Sequence, residues 1–155
     1  MTKTESRPLF TVIIPTKDRA EYLHHTLRTC SNQDYENLEV IVSDDGSSDN
    51  TKEVVLDAAQ KDKRIRYVTP GSVGMRDNFE FALDHVKSGY VIALGGDDGI
   101  LPYGISQMWR ALEVTGMDIL TWAPPAFTYS VAGSANGSYA CAERADQRSC
   151  APANT

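Results

Sequence analysis

Two adjacent aspartates, Asp97 and Asp98, stand between glycines in the run Leu94-Gly95-Gly96-Asp97-Asp98-Gly99. Hard divalent cations such as Mg2+ and Mn2+ take carboxylate oxygens and keep coordination positions for substrate phosphates. A pair of this kind can supply one direct metal ligand and one water-mediated or ribose contact, and the glycines let the backbone turn tightly and a ligand come close. An isolated Asp-Asp-Gly is more often a solvated turn. A second cluster, Asp44-Asp45-Gly46-Ser47, carries the same ambiguity. A carboxylate there suits a nucleobase N–H or a ribose hydroxyl, yet Asp, Gly and Ser are common turn residues, and Ser47 or Ser48 would cap a following helix. A third cluster is Pro15-Thr16-Lys17-Asp18-Arg19. Arg19 and Arg76 are candidates to face a diphosphate, the loop from Gly71 to Gly74 allowing close approach; a solvated surface arginine is the plainer reading, more so for Arg19. His24 and His25 are adjacent on a helix, so they are expected to point in different directions and to be solvated.

The elements that must position these clusters follow from hydrophobic patterning. Phe10 to Ile14 reads as a strand that ends at Pro15, which lacks an N–H. Asp18, with Glu21 three residues on, is predicted to cap a helix whose stripe is Leu23, Leu27 and Cys30. Leu38–Val42 is the next strand, followed by a helix capped by Ser48 or Asp49 and carrying Val54, Val55, Ala58 and Ala59. Ile65 and Tyr67 mark a short third strand. Phe79, Leu83 and Val86 form the stripe of a third helix that Gly89 ends. Tyr90-Val91-Ile92-Ala93-Leu94 is the most continuous apolar run and is predicted to be a strand buried on both faces. Pro102 precedes a fourth helix with Ile105, Trp109 and Leu112 on one side, and Asp118 to Trp122 is predicted to be a further strand.

Strands alternating with helices imply an α/β fold: a doubly wound, mostly parallel sheet with flanking helices. Ligands of such sheets bind beyond the carboxyl ends of the strands. Each of the three polar clusters follows a strand, so the topology gathers them along one edge, and that convergence points to a site.

Composition sets the bounds. The 155 residues suffice for one core, and 41% of them are hydrophobic. A formal net charge of −6 excludes a surface built to coat nucleic acid. No run approaches the ~18 apolar residues of a membrane span, and Met1 to Phe10 lacks the apolar stretch of a secretory signal, so a cytoplasmic location is expected. The three cysteines, Cys30, Cys141 and Cys150, lack metal spacing; Cys30 is expected to be buried, and a Cys141–Cys150 bridge has no support. Asn136-Gly137-Ser138 is read as a chance sequon. From Pro124 onward Ser, Ala, Gly and Asn dominate without a period. The predicted organisation is a flexible N-terminus over residues 1–7, one domain over 8–122, and an extended or disordered tail over 123–155.

Three segments together carry a resemblance: Val12 to Arg19, Glu39 to Asp49, and Gly89 to Asp98. In order and spacing they resemble the signatures of glycosyltransferase family 2 and its GT-A fold, over roughly residues 8–122. The resemblance implies transfer of a sugar from a nucleoside diphosphate donor, with a leaning to UDP, onto the hydroxyl of a sugar or glycolipid acceptor, usually with inversion, with Mn2+ or Mg2+ as cofactor. It implies nucleotide-sugar binding by Pro15, Thr16, Arg19, Asp44 or Asp45, Arg76 and Asp97. It makes Asp98 the principal metal ligand, supported by Asp97. The sequence departs from the pattern at Gly96, where the family often has an acid, so a metal site here has one carboxylate fewer. Family members continue into an acceptor-binding half that supplies the general base. This chain is read as truncated before it; Asp118 and Glu143 sit in no convincing motif and no base is assigned. Apolar surface left uncovered by a missing half would favour a homo-oligomer.

Two other functions are weighed. A nucleotide-sugar-binding module without turnover would bind nucleotide and transfer nothing. A phosphoacceptor receiver-like domain would need an acidic pair after the first strand and a lysine after a late one, where this chain has Pro15-Thr16 and Trp122-Ala123.

Overall fold

The computed structural model describes residues 7–120. The tail over 123–155, the Cys141–Cys150 pair and the sequon lie outside the described residues. The elements run β1 (Phe10–Thr16), α1 (Ala20–Ser31), β2 (Leu38–Asp44), α2 (Thr51–Lys61), β3 (Ile65–Val68), α3 (Met75–Asp84), β4 (Tyr90–Ala93) and α4 (Gly104–Thr115). All belong to the unit that ends at Asp118. The four strands form one sheet in the order β3-β2-β1-β4, and every pairing is parallel. The α/β alternation predicted from the sequence is therefore present.

β1 and β2 lie at the centre, and Val12, Ile13, Ile14, Val40, Ile41 and Val42 are each at most 1% exposed. Burying a side chain of this size is worth about 1.5–3 kcal/mol relative to leaving it in water, so this pair of strands dominates the core. α3 covers one face: Ala82 packs with Ile13 and Ile41, and Phe79, Val86 and Val68 close around them. On the opposite face an aromatic row crosses the sheet, Tyr35 edge-on to Phe10, Phe10 stacked on Tyr90, and Tyr90 against Trp109 of α4. Helices thus pack on both faces, as a doubly wound sheet requires.

Several expectations need correction. Pro15 does not end β1; the strand continues to Thr16, with Pro15 paired to Ser43 in register. The Ile13 carbonyl accepts the Leu94 N–H on the β4 side and the Thr16 carbonyl accepts the Asp45 N–H on the β2 side, so Pro15 faces the β4 side. There the β4 ladder has already stopped at Ala93, and no partner needs the missing N–H. β4 is not buried on both faces: among the described residues it lies at the edge of the sheet, Val91 is 42% exposed, and of its four residues only Ile92 is buried. Its apolar run looks like a central strand because periodicity does not report how many neighbours a strand has. α3 ends at Asp84 rather than near Gly89, and Leu83 is exposed while Asn78 and Ala82 are buried. No strand forms over 118–120, and the remainder of the predicted strand lies outside the described residues. His24 and His25 do not diverge: their rings lie 3.8 Å apart on the exposed side of α1, where unpacked side chains are free to lean together. Cys30 is buried as expected, and burial pushes its thiol up to about 12.

No helix among the described residues is long and apolar enough to cross a membrane.

Candidate functional site

The chain winds outward from β1 to β2 to β3, then returns to place β4 on the other side of β1. Loops leaving β1 and β4 therefore diverge, opening a crevice at the switch point beyond the strand ends. An open cleft of about 470 Å3 lies there, lined on one side by Pro15, Thr16, Lys17, Arg19 and Asp45 and on the other by Ala93 to Asp97, with Met75, Asn78 and Phe79 of α3 beneath.

The wall after β1 is held by hydrogen bonds to the loop after β2. Asp18 takes a left-handed backbone conformation, φ 50°, uncommon outside glycine. Its N–H donates to Ser47 Oγ, and its carboxylate accepts from Ser48 N–H at 2.7 Å and from the Ser48 hydroxyl. These bonds, the backbone one first, hold the Asp18 carboxyl below the ordinary range. Asp18 is thus no helix cap, contrary to the sequence expectation. α1 starts at Ala20, and the Ala20 N–H donates to Asp49 Oδ2 at 3.0 Å, so the carboxylate that stabilises this helix start comes from the neighbouring loop.

The paired aspartates after β2 divide in role. Asp44 is 2% exposed; its carboxylate accepts from Tyr67 hydroxyl at 2.7 Å and from the N–H and hydroxyl of Ser47. Burial first, then this bond to Asp44, pushes the Tyr67 hydroxyl up to about 12. Asp45 lines the cleft. Its Oδ1 accepts the N–H groups of Val73 and Gly74 at 2.7 and 2.8 Å, and its Oδ2 lies 3.4 Å from Lys17 Nζ. The Gly74 and Val73 amides hold its carboxyl below the usual value, so it is ionised and only accepts. Oδ2, with one long contact, is the atom left to meet a ligand. The loop from Gly71 to Gly74 is therefore latched onto Asp45 rather than open.

The wall after β4 is built differently. Asp97 and Asp98 are exposed, and the turn is closed by the Asp98 N–H donating to the Gly95 carbonyl at 3.1 Å. Both carboxylates fold back over Gly95: a Cβ added there would meet Asp98 Oδ2 at 2.6 Å and Asp97 Oδ1 at 3.2 Å. Gly96 is buried, its carbonyl accepts the Thr26 hydroxyl, and a Cβ on it would sit 3.0 Å from Thr16 Oγ1. A side chain at 96 would press on β1, which is a local reason for the glycine there. Thr16 Oγ1 itself is buried at the cleft wall without a hydrogen-bond partner.

Of the residues singled out in the sequence, Pro15, Thr16, Arg19, Asp45 and Asp97 converge on the cleft. Asp98 adjoins Asp97 over Gly95 but is not part of the lining; Asp44 lies beneath, committed to Tyr67 and Ser47. Arg76 is not brought in: its side chain is 86% exposed and pairs with Glu80 one helical turn on. Sequence reasoning missed Lys17, Met75, Asn78 and Phe79 as lining residues. Lys17 lay inside a quoted motif, and its charge was signal enough; Phe79 was read only as core. Among the described residues no group of three or more His, Cys, Asp and Glu stands close enough to hold a metal; a Mg2+ or Mn2+ ion at the Asp97–Asp98 pair would have two carboxylates and take its remaining ligands from substrate and water.

The model of the family described as glycosyl transferase family 2 matches residues 11–139. A β-1,3-glucosyltransferase of Campylobacter jejuni, named for its action on GalNAc(5)-diNAcBac-PP-undecaprenol, is 37% identical over 105 residues, covering 66% of this chain and 34% of that protein. Validoxylamine A glucosyltransferase of Streptomyces hygroscopicus is 45% identical over 75 residues, 47% of this chain and 18% of that one. Among solved structures, S. aureus TarS superposes with a TM-score of 0.61 at 20% identity, over 70% of this chain and 20% of that chain. The mannosyltransferase PcManGT of Pyrobaculum calidifontis, in complex with GDP-Man and Mn2+, superposes with a TM-score of 0.55 at 28% identity, over 62% and 29%. The chain spans about a third of the length of the Campylobacter relative. With a family match over most of its length and three motifs arranged around one cleft, the chain belongs to glycosyl transferase family 2.

Proposed function

We propose that the cleft binds a nucleoside diphosphate sugar, with UDP as the leading nucleotide, together with Mn2+ or Mg2+, and that the chain is the donor-binding part of a cytoplasmic glycosyltransferase acting on a sugar or glycolipid hydroxyl. The observation that carries this reading is the convergence of Thr16, Arg19, Asp45 and Asp97 on one cleft at the switch point of the sheet. The similarity to PcManGT, a structure holding GDP-Man and Mn2+, supports a nucleotide-sugar donor and a cation. The similarity to the Campylobacter enzyme supports a lipid-linked glycan as acceptor class.

In this reading Asp45 Oδ2 accepts from the base or ribose, with Pro15 and the unpartnered Thr16 hydroxyl beside the nucleoside. Arg19 stands close to the Gly96 turn, its Cβ 3.7 Å from where a Gly96 side chain would begin, and in this reading its guanidinium offsets diphosphate charge. Asp98 and Asp97 would hold the cation, which when bound neutralises charge developing on the leaving diphosphate. Among the described residues the carboxylates lining the cleft are Asp45, engaged by three donors, and Asp97, assigned to the cation, so no lining carboxylate described there is left as a base toward an acceptor. That favours a second reading, a donor-binding module without turnover.

Incubating the chain and Mn2+ with UDP- and GDP-sugars and simple glycoside acceptors, read by calorimetric binding and by nucleotide release, separates these. Binding with acceptor-dependent release supports a transferase. Binding without release supports the module, and binding of no nucleotide overturns the proposal.

A further inference from the structure

The loop carrying Lys17 and Arg19 owes its position to a residue outside the cleft. Asp49 Oδ1 accepts the Thr51 N–H at 2.9 Å and the Thr51 hydroxyl, at the start of α2. Asp49 Oδ2 accepts the Ala20 N–H, at the start of α1. The same Thr51 hydroxyl oxygen accepts the Arg19 N–H at 3.2 Å. One carboxylate therefore joins two helix N-termini that are 31 residues apart in the chain, and N-terminal amides are the groups a carboxylate satisfies best. Arg19 immediately precedes the joined amide and lines the cleft; it has no carboxylate within salt-bridge distance among the described residues, so its side chain is not committed to an ion pair there.

We propose that Asp49 is a positioning residue of the donor site: by clamping α1 to α2 it sets the Lys17–Arg19 loop, and Arg19 above all, at the height where a diphosphate meets the Gly95–Asp98 turn. This inference rests on the nucleotide-sugar reading above. Asp49 touches no ligand and acts only through Arg19 and its neighbours. Burial opposes its ionisation, and the hydrogen bonds from Thr51 and Ala20 outweigh burial, leaving the carboxyl below its ordinary value. The clamp therefore acts as a carboxylate at neutral pH. Asn is the informative replacement. Its amide oxygen can still serve Thr51, but its NH2 opposes the Ala20 N–H, so the tie to α1 alone is cut.

The test uses the full chain with UDP and Mn2+ as probes, and the variants Asp49→Asn, Arg19→Ala and the double variant. Thr51→Val serves as a second way to cut the clamp should Asp49→Asn not fold, and Asp57→Asn, in an exposed pair with Lys61, serves as control. Asp49→Asn is expected to weaken UDP binding about tenfold, the scale of a small misplacement of a binding group, and to speed amide exchange at Arg19 and Ala20. In the Arg19→Ala background the same substitution should lose most of its effect on binding, which a merely structural role would not produce. Unchanged binding in Asp49→Asn and Thr51→Val, or additive losses in the double variant, would overturn the positioning role while leaving the donor site standing. No UDP binding by the unaltered chain would instead overturn the donor-site reading and the positioning role with it, and the exchange data would still report whether the clamp exists.

Discussion

The two walls of the cleft are made in opposite ways. The wall after β1 and β2 is wired before any ligand arrives: Asp18, Asp44, Asp45 and Asp49 together accept hydrogen bonds from eleven donor groups on neighbouring loops, helix starts and β3. The wall after β4 is carried by a strand of four residues at the edge of the described sheet, and its two carboxylates are exposed and fold over a glycine. The contrast teaches that acidic residues with the same turn-like look in sequence do different work. Where the surrounding backbone amides converge, a carboxylate is spent on structure or on a fixed acceptor; where they do not, it remains available for a cation.

This comparison can be broken or sharpened by substitution. The largest effect is expected at the strand that carries the open wall. Gly89 has φ 85°, and an added Cβ would sit 2.0 Å from the Leu9 carbonyl oxygen, so Gly89→Ala must displace β4 from β1. A loss of about 4 kcal/mol or failure to fold is expected, read by thermal or chemical denaturation. Next is the wired wall. Tyr67→Phe removes a donor from the buried Asp44 carboxylate and is expected to cost about 1–3 kcal/mol in a urea titration. Third, Gly95→Ala sharpens the contrast, because the atoms an added Cβ would meet are carboxylate ends that can swing away. Stability should stay within about 0.5 kcal/mol, while Mn2+-dependent nucleotide binding weakens because Asp97 and Asp98 are pushed off their site. A fall in stability with binding intact would invert the account.

The smallest effect is a pH dependence, carried by Asp62 at the C-terminal end of α2 and by carboxylates of the wired wall. Asp62, hydrogen-bonded first of all to the Arg64 side chain, is held at about 2 against an ordinary 3.8. Its folded-state value is depressed, so its contribution to stability is present above pH 3.8 and is lost as pH falls towards 2. Asp18, Asp45 and Asp49 are lowered in the same direction. The melting temperature should therefore be flat with respect to these groups from pH 8 to 5 and fall below about pH 4, and Asp62→Asn should make that fall shallower.

Much of this was legible in the sequence for a physical reason. β-branched runs and i, i+4, i+7 stripes reflect burial, so β1, β2, α1 and α4 were read close to where they lie. The three polar clusters each follow a strand, so their convergence followed from topology alone. What sequence could not show is which neighbour spends a hydrogen bond. Asp18 has the spacing of a helix cap, yet its backbone is left-handed and its carboxylate serves Ser48; Asp49, which looks like the cap of α2 alone, also serves α1. Asp44 and Asp45 are adjacent and alike until Tyr67 claims one and the amides of Val73 and Gly74 claim the other. β4 misled because an apolar run records composition, while its place at the edge of the described sheet is set by the order of strands.

The most direct test of the central claim is calorimetric titration of UDP into the chain with Mn2+ and after chelation, repeated on Asp98→Ala. The expected result is binding that needs Mn2+ and is lost in Asp98→Ala while the melting temperature holds. Binding that is indifferent to Mn2+ and to Asp98→Ala would contradict the assignment of the open wall to a cation, and no binding at all would contradict the donor site itself.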